Sequence, residues 1–591
     1  MRNKVNSTFE GNKVPRLTKF LYPFSGIFRD ACYALVGSFL LTYAMTTGVL
    51  SSDPDTYTAQ YGVITIAMMI ALVWDGINDP IMGFIIEKCH FKTGKFKPWI
   101  LIGAIGNAIV VTLMFCLRPG GDGWGFVGTM IAFYFLWDLF FTMNDVGYWS
   151  MLPSLTSDEH ERASLTSRVT IAASIGGFLM TGICFLLPSM FAGEGGKGAG
   201  EVYAIISIVC SILFLLGQAA IYFFCQERKR DIKQEEISEQ SHFLDLFKIV
   251  GKNKQLRLAV ISMFLFYLAS GVLTGGIGLY YFYLNLGYGS WQGGLCATLI
   301  SVMYVAGNVG AQALYPTLAK KFSKQKLLTV MSIIGFLAYA GFFLFCFPVF
   351  GEHPLAYNDP TPYIGATHFI DDMGKGLAWS FGGTMILYYL FPLIFFFTEG
   401  FIYMIILVMF QNAIDYGEYE YGERKESVAF AWRPLDVKLS SALLRAFQYM
   451  IFAIAGVSGY FSAVSSAEGT YNSIANTPGT SQSVISEAAA DRNTAIYNAG
   501  VGVERWQLVV YGIIAVGIVV ASMLALYLIL HLGYKIDEEK EKEIALVLEQ
   551  RHKENEKKAA IADALQEKQP VVEAAMKEEI PEQKQRQKES N

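Results

Sequence analysis

Residues 72–80 read LVWDGINDP, which sets Asp75, Asn78 and Asp79 at i, i+3 and i+4. On a helix all three project from one face. The surrounding run 63–86 is otherwise apolar enough to cross a membrane. A carboxylate at bilayer depth costs roughly 2.5–3.5 kcal/mol on insertion scales, and here two sit within one turn. A packing network sealed between helices is the bland reading, but paired like charges are a poor structural choice. The cluster reads instead as a cation site, because two carboxylates and an amide supply the oxygens that hard monovalent cations prefer.

The elements that position these residues follow from composition. The chain has 591 residues, 53% hydrophobic, 14% aromatic and only 16% charged, with a mean hydropathy of +0.37. That is too apolar for an ordinary soluble protein of this size. The net charge of −5 carries little information about partners, since much of the charge lies in the last 58 residues. Eight cysteines are scattered singly without a CxxC pair, so they read as small buried side chains. The first twenty residues, MRNKVNSTFEGNKVPRLTKF, lack the short apolar core and cleavage site of a secretory signal.

About twelve apolar runs reach spanning length. They cover 24–50, 61–87, 98–118, 126–152, 170–190 and 201–225, then 256–286, 291–318, 327–349, 377–410, 434–464 and 506–533. The expected architecture is an all-α membrane protein of two six-helix bundles, 1–226 and 256–533. A polar linker at 227–255 joins them, and a charged tail follows at 534–591. A weak internal echo, PIMGFIIEKCHFKTGKFKPWILIG against YPTLAKKFSKQKLLTVMSIIG, suggests two related halves and hence alternating access around a site between them. Loops bearing Lys88, Lys92, Lys95 and Lys97, or Arg228, Lys229 and Arg230, alternate with loops nearly free of Lys and Arg. The positive-inside rule therefore predicts a multi-pass cell-membrane protein with both termini cytoplasmic. Residues 350–376 and 465–504 are long for connections, and the second, rich in Ser, Ala, Thr, Gly and Asn, is expected to be a mobile loop. The tail is expected to be a largely solvated helix with Ile536, Ile544, Leu548 and Ile561 as thin apolar contacts.

Three segments in order resemble the glycoside–pentoside–hexuronide:cation symporters, the melibiose permease family of the major facilitator superfamily. They are WDGINDPIMGFIIEKCHFKTGKFKPWILIG, FFTMNDVGYWSMLPSLTSDEHER and NAIDYGEYEYGERKESVAFAWRPLDVKLSSA. The resemblance implies a major facilitator fold and a secondary symporter taking up a sugar or glycoside. It places Asp75, Asn78, Asp79 and Thr142 on the coupling-cation positions. Asp30 and Asp145 fall on sugar-hydroxyl acceptors, Arg29 precedes Asp30, Trp149 follows Asp145 by one turn, and Lys438 matches a lysine close to both sites. Independently of the family, a carboxylate accepts from two hydroxyls at once, and an indole offers a stacking face plus one donor. Trp149 is read equally well as ordinary packing.

The chain departs from the family pattern in several places. The family's fifth-helix arginine falls on Thr170, with Arg168 able to replace it after a local shift. Asp138 stands where melibiose permease has a small residue, and Tyr403 stands in for a tryptophan. Arg433, Asp436, Glu399 and Arg445 add charge to the second half. Arg433 with Asp436, at i, i+3, is expected to form an ion pair. Lys438 and Arg445 are expected to be neutralised by Asp30, Asp138, Asp145 and Glu399, which favours a neutral sugar over a uronide. Asp415, Glu418, Arg424 and Glu426 are expected to form cytoplasmic gating pairs between the bundles, with Lys88, Lys95 and Lys97 as further candidates.

Other function classes find no support in the sequence. There is no phosphate-binding loop or nucleophile elbow, so no enzyme activity and no cofactor beyond the transported cation is expected. Basic loops beside membrane helices without interleaved aromatics argue against nucleic acid. The expected partners are a small sugar, a monovalent cation and the lipid bilayer, with a monomer as the working unit. Sodium is favoured because Asn78 and Thr142 add neutral oxygens, while a proton needs only one carboxylate. A lysolipid-type carrier of the same fold and a transporter-like sensor are the alternatives.

Overall fold

The computed structural model describes residues 14–89, 91, 93–119, 122–156, 159–191, 198–227, 243–275, 278, 280–281, 283–284, 288, 291–346, 386–422 and 432–551. In the first half the helices are α1 (Arg16–Thr46), α2 (Pro54–Lys88), α3 (Lys97–Cys116), α4 (Trp124–Ser154), α5 (Glu159–Phe191) and α6 (Ala199–Phe224). A short α7 (Phe243–Lys252) leads into α8 (Lys254–Thr274), α9 (Trp291–Ala319), α10 (Lys324–Cys346) and α11 (Ile386–Tyr421). Then come α12 (Trp432–Ala455), α13 (Ser458–Ala475), α14 (Gln482–Val501) and α15 (Arg505–Leu528), the last continuing through a wider turn, Ile529–Gly533. No strand occurs among the described residues. Eleven of these helices are long and apolar enough to cross a membrane, and α9, at 29 residues, has the length of a twelfth. Helices are the open-ended way to satisfy every backbone group in hydrocarbon.

Faces turned outward are greasy. On α6, Ile205, Ile208, Ile212 and Leu216 recur at three- and four-residue spacing and are all exposed, which fits lipid and not water. Inside each half the helices approach closely. A Cβ on Gly176 of α5 would lie 2.0 Å from the Ile27 carbonyl oxygen of α1, so the two backbones touch there. The connection from α2 to α3 is pinned by Glu227, which follows α6 and accepts from the backbone N–H groups of Lys95, Phe96 and Lys97 at 2.8, 3.1 and 2.9 Å. These are the donors left unsatisfied at the start of α3.

Two expectations change and one holds. Residues 465–504 are not a mobile loop: α12 breaks at Gly456 (φ +65°), and α13 and α14 then fold as a helical hairpin. The cause is burial that composition does not reveal, with Glu468 and Arg492 paired at 3.6 Å and both wholly inaccessible. The tail keeps the expected form over its described residues, exposed at most positions and seated by the three apolar contacts. Ile536, Ile544 and Leu548 are buried in one cluster with Phe410 and Ile414 of α11, and Lys324 of α10 bonds the Glu541 carboxylate. Ile561 and residues 350–376 lie outside the described residues. Asp415 and Glu418, expected as gating groups past the apolar run 377–410, lie within α11, which continues to Tyr421.

Candidate functional site

α2 of the first half and α12 of the second run side by side, and the charged groups meet between them. Lys438 Nζ lies 2.9 Å from Asp75 Oδ2 and is hydrogen-bonded to Asp79 Oδ2. Thr142 on α4 donates to Asp75 Oδ1 at 3.3 Å. Asn78 is buried on the same face, and its Nδ2 has no partner among the described residues. Asp138, one turn before Thr142, is 4% exposed with an unpartnered Oδ2. The ammonium thus occupies the oxygens proposed for a cation. Among the described residues no three acidic, histidine or cysteine groups converge as a ready metal site in this arrangement.

One helical turn along α4, a second cluster forms around α1. Arg29 is 2% exposed and forks between two carboxylates, with NH2 at 2.8 Å from Asp30 Oδ2 and NH1 at 2.9 Å from Asp145 Oδ1. Its guanidinium also lies over the Tyr148 ring at 4.3 Å and the Trp149 ring at 5.1 Å. Trp149 therefore stacks on a protein cation in this arrangement, a third use beside sugar stacking and plain packing. Asp30 and Asp145 keep 22% and 33% side-chain exposure, so Arg29 does not fully cover either side chain. Asp30 opens on a cavity of 320 Å³ between the halves, shared with Tyr33, Ser174, Phe178, Tyr304 and Phe396. Tyr33 and Ser38 also line it, and no charge pattern in the sequence singled them out.

The remaining candidates distribute differently. Arg433 donates to the Tyr403 hydroxyl and makes no ion pair with Asp436, whose Oδ2 has no partner among the described residues. One turn of separation put the two on a common stripe, but the guanidinium is drawn to a ring on α11. Tyr403 packs against Phe266 and Tyr267 and is not part of the cavity wall. Among the described residues Arg445 bonds the Gly37 carbonyl of α1 and finds no carboxylate, and Lys438 is neutralised by Asp75 and Asp79 in place of the four acids expected. Glu399 accepts from Ser270 at 3.0 Å inside the second half. Arg168 and Thr170 are exposed on α5, outside the cavity wall, and the Thr170 hydroxyl returns to Thr166. Toward the basic-loop face, Lys88 is exposed, the Lys95 amide is held by Glu227, and Arg551 donates to the Glu418 carbonyl. Arg424 and Glu426 lie outside the described residues.

Residues 54–477, most of both halves, match the family described as MFS/sugar transport protein. The chain belongs to this family. Among similar proteins of this kind is a lactose permease of Leuconostoc lactis, 26% identical over 469 residues, covering 78% of this chain and 65% of the relative. A raffinose carrier protein of Pediococcus pentosaceus is 23% identical over 445 residues, covering 74% and 63%. An isoprimeverose transporter of Lactiplantibacillus pentosus is 20% identical over 454 residues, covering 76% and 82%. The match thus spans under two thirds of the length of the first two relatives. A solved D-xylose–proton symporter aligns at 13% identity with a TM-score of 0.47, covering 78% of this chain and 97% of that one. As a membrane protein of the MFS sugar transport family, the chain is helical through its described residues, with its charged clusters on α1, α2, α4 and α12.

Proposed function

We propose that the protein takes up a sugar or glycoside together with a monovalent cation by alternating access of its two halves. The observation that carries this reading is Lys438, which reaches from the second half into the Asp75–Asp79 pair of the first. An incoming cation takes those carboxylate oxygens, with Thr142 and Asn78 beside them, and the ammonium is displaced. The tie between α2 and α12 then depends on the cation, which couples ion binding to the relation of the halves. Sugar hydroxyls take the carboxylate oxygens of Asp30 and Asp145, while Arg29 fixes both groups in place. The 320 Å³ cavity falls within the range of about 300–1,000 Å³ typical of small-molecule sites. The basic loops support an orientation with both termini cytoplasmic, and an inward cation gradient then drives uptake.

Sodium is the first choice, for the neutral oxygens of Asn78 and Thr142. A neutral glycoside is the first choice of substrate. Arg445 supports a second reading, an anionic sugar, because among the described residues this guanidinium pairs with a carbonyl and with no carboxylate. The test is uptake into proteoliposomes across a sugar panel, neutral and uronide, under separate sodium and proton gradients. Concentrative uptake of a neutral glycoside driven by sodium is expected. Uptake indifferent to sodium and abolished by a protonophore would reverse the choice of ion. A uronide preference that disappears in Arg445→Gln would reverse the choice of sugar, and no concentrative uptake of any sugar would end the proposal.

A further inference from the structure

The α13–α14 hairpin leaves the second half and lies across the first, on the face opposite the basic loops. α13 packs against both α1 and α2. Its contacts with the first half are backbone-close. Gly48, at φ +73°, sits where an added Cβ would lie 2.3 Å from the Gly469 amide nitrogen. Asn472 donates to the Thr47 carbonyl at 3.1 Å, which satisfies an acceptor at the end of α1. Glu468 accepts from the Ala199 amide at 3.4 Å, at the start of α6. Beside the hairpin, Thr42 and Tyr280 join the halves through their hydroxyls at 3.1 Å, over the buried rings of Phe452 and Phe461. Inside the hairpin, Glu468 on α13 and Arg492 on α14 pair without solvent access, and Arg492 lies 4.9 Å over the Tyr471 ring. That pair ties the two helices into one unit.

Any contact between the halves on this face must break when the mouth there opens. Beside the apolar core that Val464 and Ala467 share with α1, the polar contacts of α13 with the first half are directional hydrogen bonds, which fit a closure made and released in every cycle. We propose that the α13–α14 hairpin is the outer latch of the transport cycle, seated at Gly48–Gly469 and positioned by Asn472 and Glu468. This rests on the alternating-access reading above but not on the identity of sugar or ion. α13 rides on the second half and carries the latch with it as the halves part.

The test uses the full chain in lipid nanodiscs, in a cysteine-free background, with spin labels at the exposed positions Ser52 and Ser483. Distances are recorded by electron–electron resonance without sugar or added cation, so a wrong assignment of substrate does not affect the result. Gly469→Leu keeps a helix-favouring residue in α13 but drives a side chain into the Gly48 backbone. Gly469→Ala is the control, since its Cβ would rest 3.5 Å from the Gly48 carbonyl oxygen, an ordinary contact. A short distance is expected in wild type and in Gly469→Ala. In Gly469→Leu the long-distance population should rise about tenfold relative to the short one, with a smaller rise of the same sign in Asn472→Ala. Gel filtration and a cooperative melt check folding, and Asn472→Ala carries the test if Gly469→Leu fails them. Distance distributions unchanged in the folded variants would overturn the latch.

Discussion

Replacing Lys438 with methionine should tighten cation binding, because the ammonium and the cation compete for the same oxygens. Nζ lies 2.9 Å from Asp75 Oδ2 and is hydrogen-bonded to Asp79, with side-chain exposures of 15% for Lys438, 15% for Asp75 and 33% for Asp79. At an effective dielectric of about 20, one such contact is attractive by about 6 kcal/mol, and desolvating the ammonium takes back several of these. Charge-assisted hydrogen bonds net about 1.5–3 kcal/mol each. Discounting the Asp79 contact for its exposure leaves about 2–4 kcal/mol holding Lys438 in place. A cation must overcome that amount in wild type and not in Lys438→Met, so its affinity should rise about 30- to 1,000-fold. The variant should also melt earlier without cation, since Asp75, Asp79 and Asp138 then face one another uncompensated. Cation at a hundred times its Kd should return about 2.7 kcal/mol. Melting curves of purified protein across a sodium titration, with choline as the ionic-strength control, give both quantities. Midpoints within threefold of each other in wild type and Lys438→Met would refute the competition.

Asp75→Cys and Asp79→Cys should each abolish concentrative uptake while sugar binding persists, read by gradient-driven uptake beside ligand binding in the same membranes. Loss of sugar binding with cation-stimulated uptake intact would contradict this. Asp30→Asn and Asp145→Asn should each weaken sugar binding by about 1.5–3 kcal/mol, roughly 10- to 150-fold, as a charge-assisted acceptor is lost. Wild-type affinity in either variant removes that residue from the site. Gly176→Ala should lower stability by about 1–3 kcal/mol, because its Cβ would meet the Ile27 carbonyl at 2.0 Å and force α1 and α5 apart. A melting temperature equal to wild type would show that the two helices separate freely.

The membrane class, the helical character and the Asp75–Asn78–Asp79 face were legible in the sequence because each is local. Apolar run length dictates spanning helices, and a three- or four-residue spacing dictates a shared face. Partner choice between distant segments was not legible. Arg433 and Asp436 have the right spacing for an ion pair, yet Arg433 turns to Tyr403 on α11. Arg29 was expected beside Asp30 in the sugar site, and folding makes it the bridge between Asp30 and Asp145, the latter 116 residues from Arg29. The polar stretch 465–504 has the composition of a loop, and only its contacts with α1, α2 and α6 make it an ordered hairpin with a wholly buried ion pair. A sequence fixes which groups lie on one face of one helix, through backbone geometry. Which charge a group neutralises depends on which helices pack together, because burial sets the cost of leaving it unpaired.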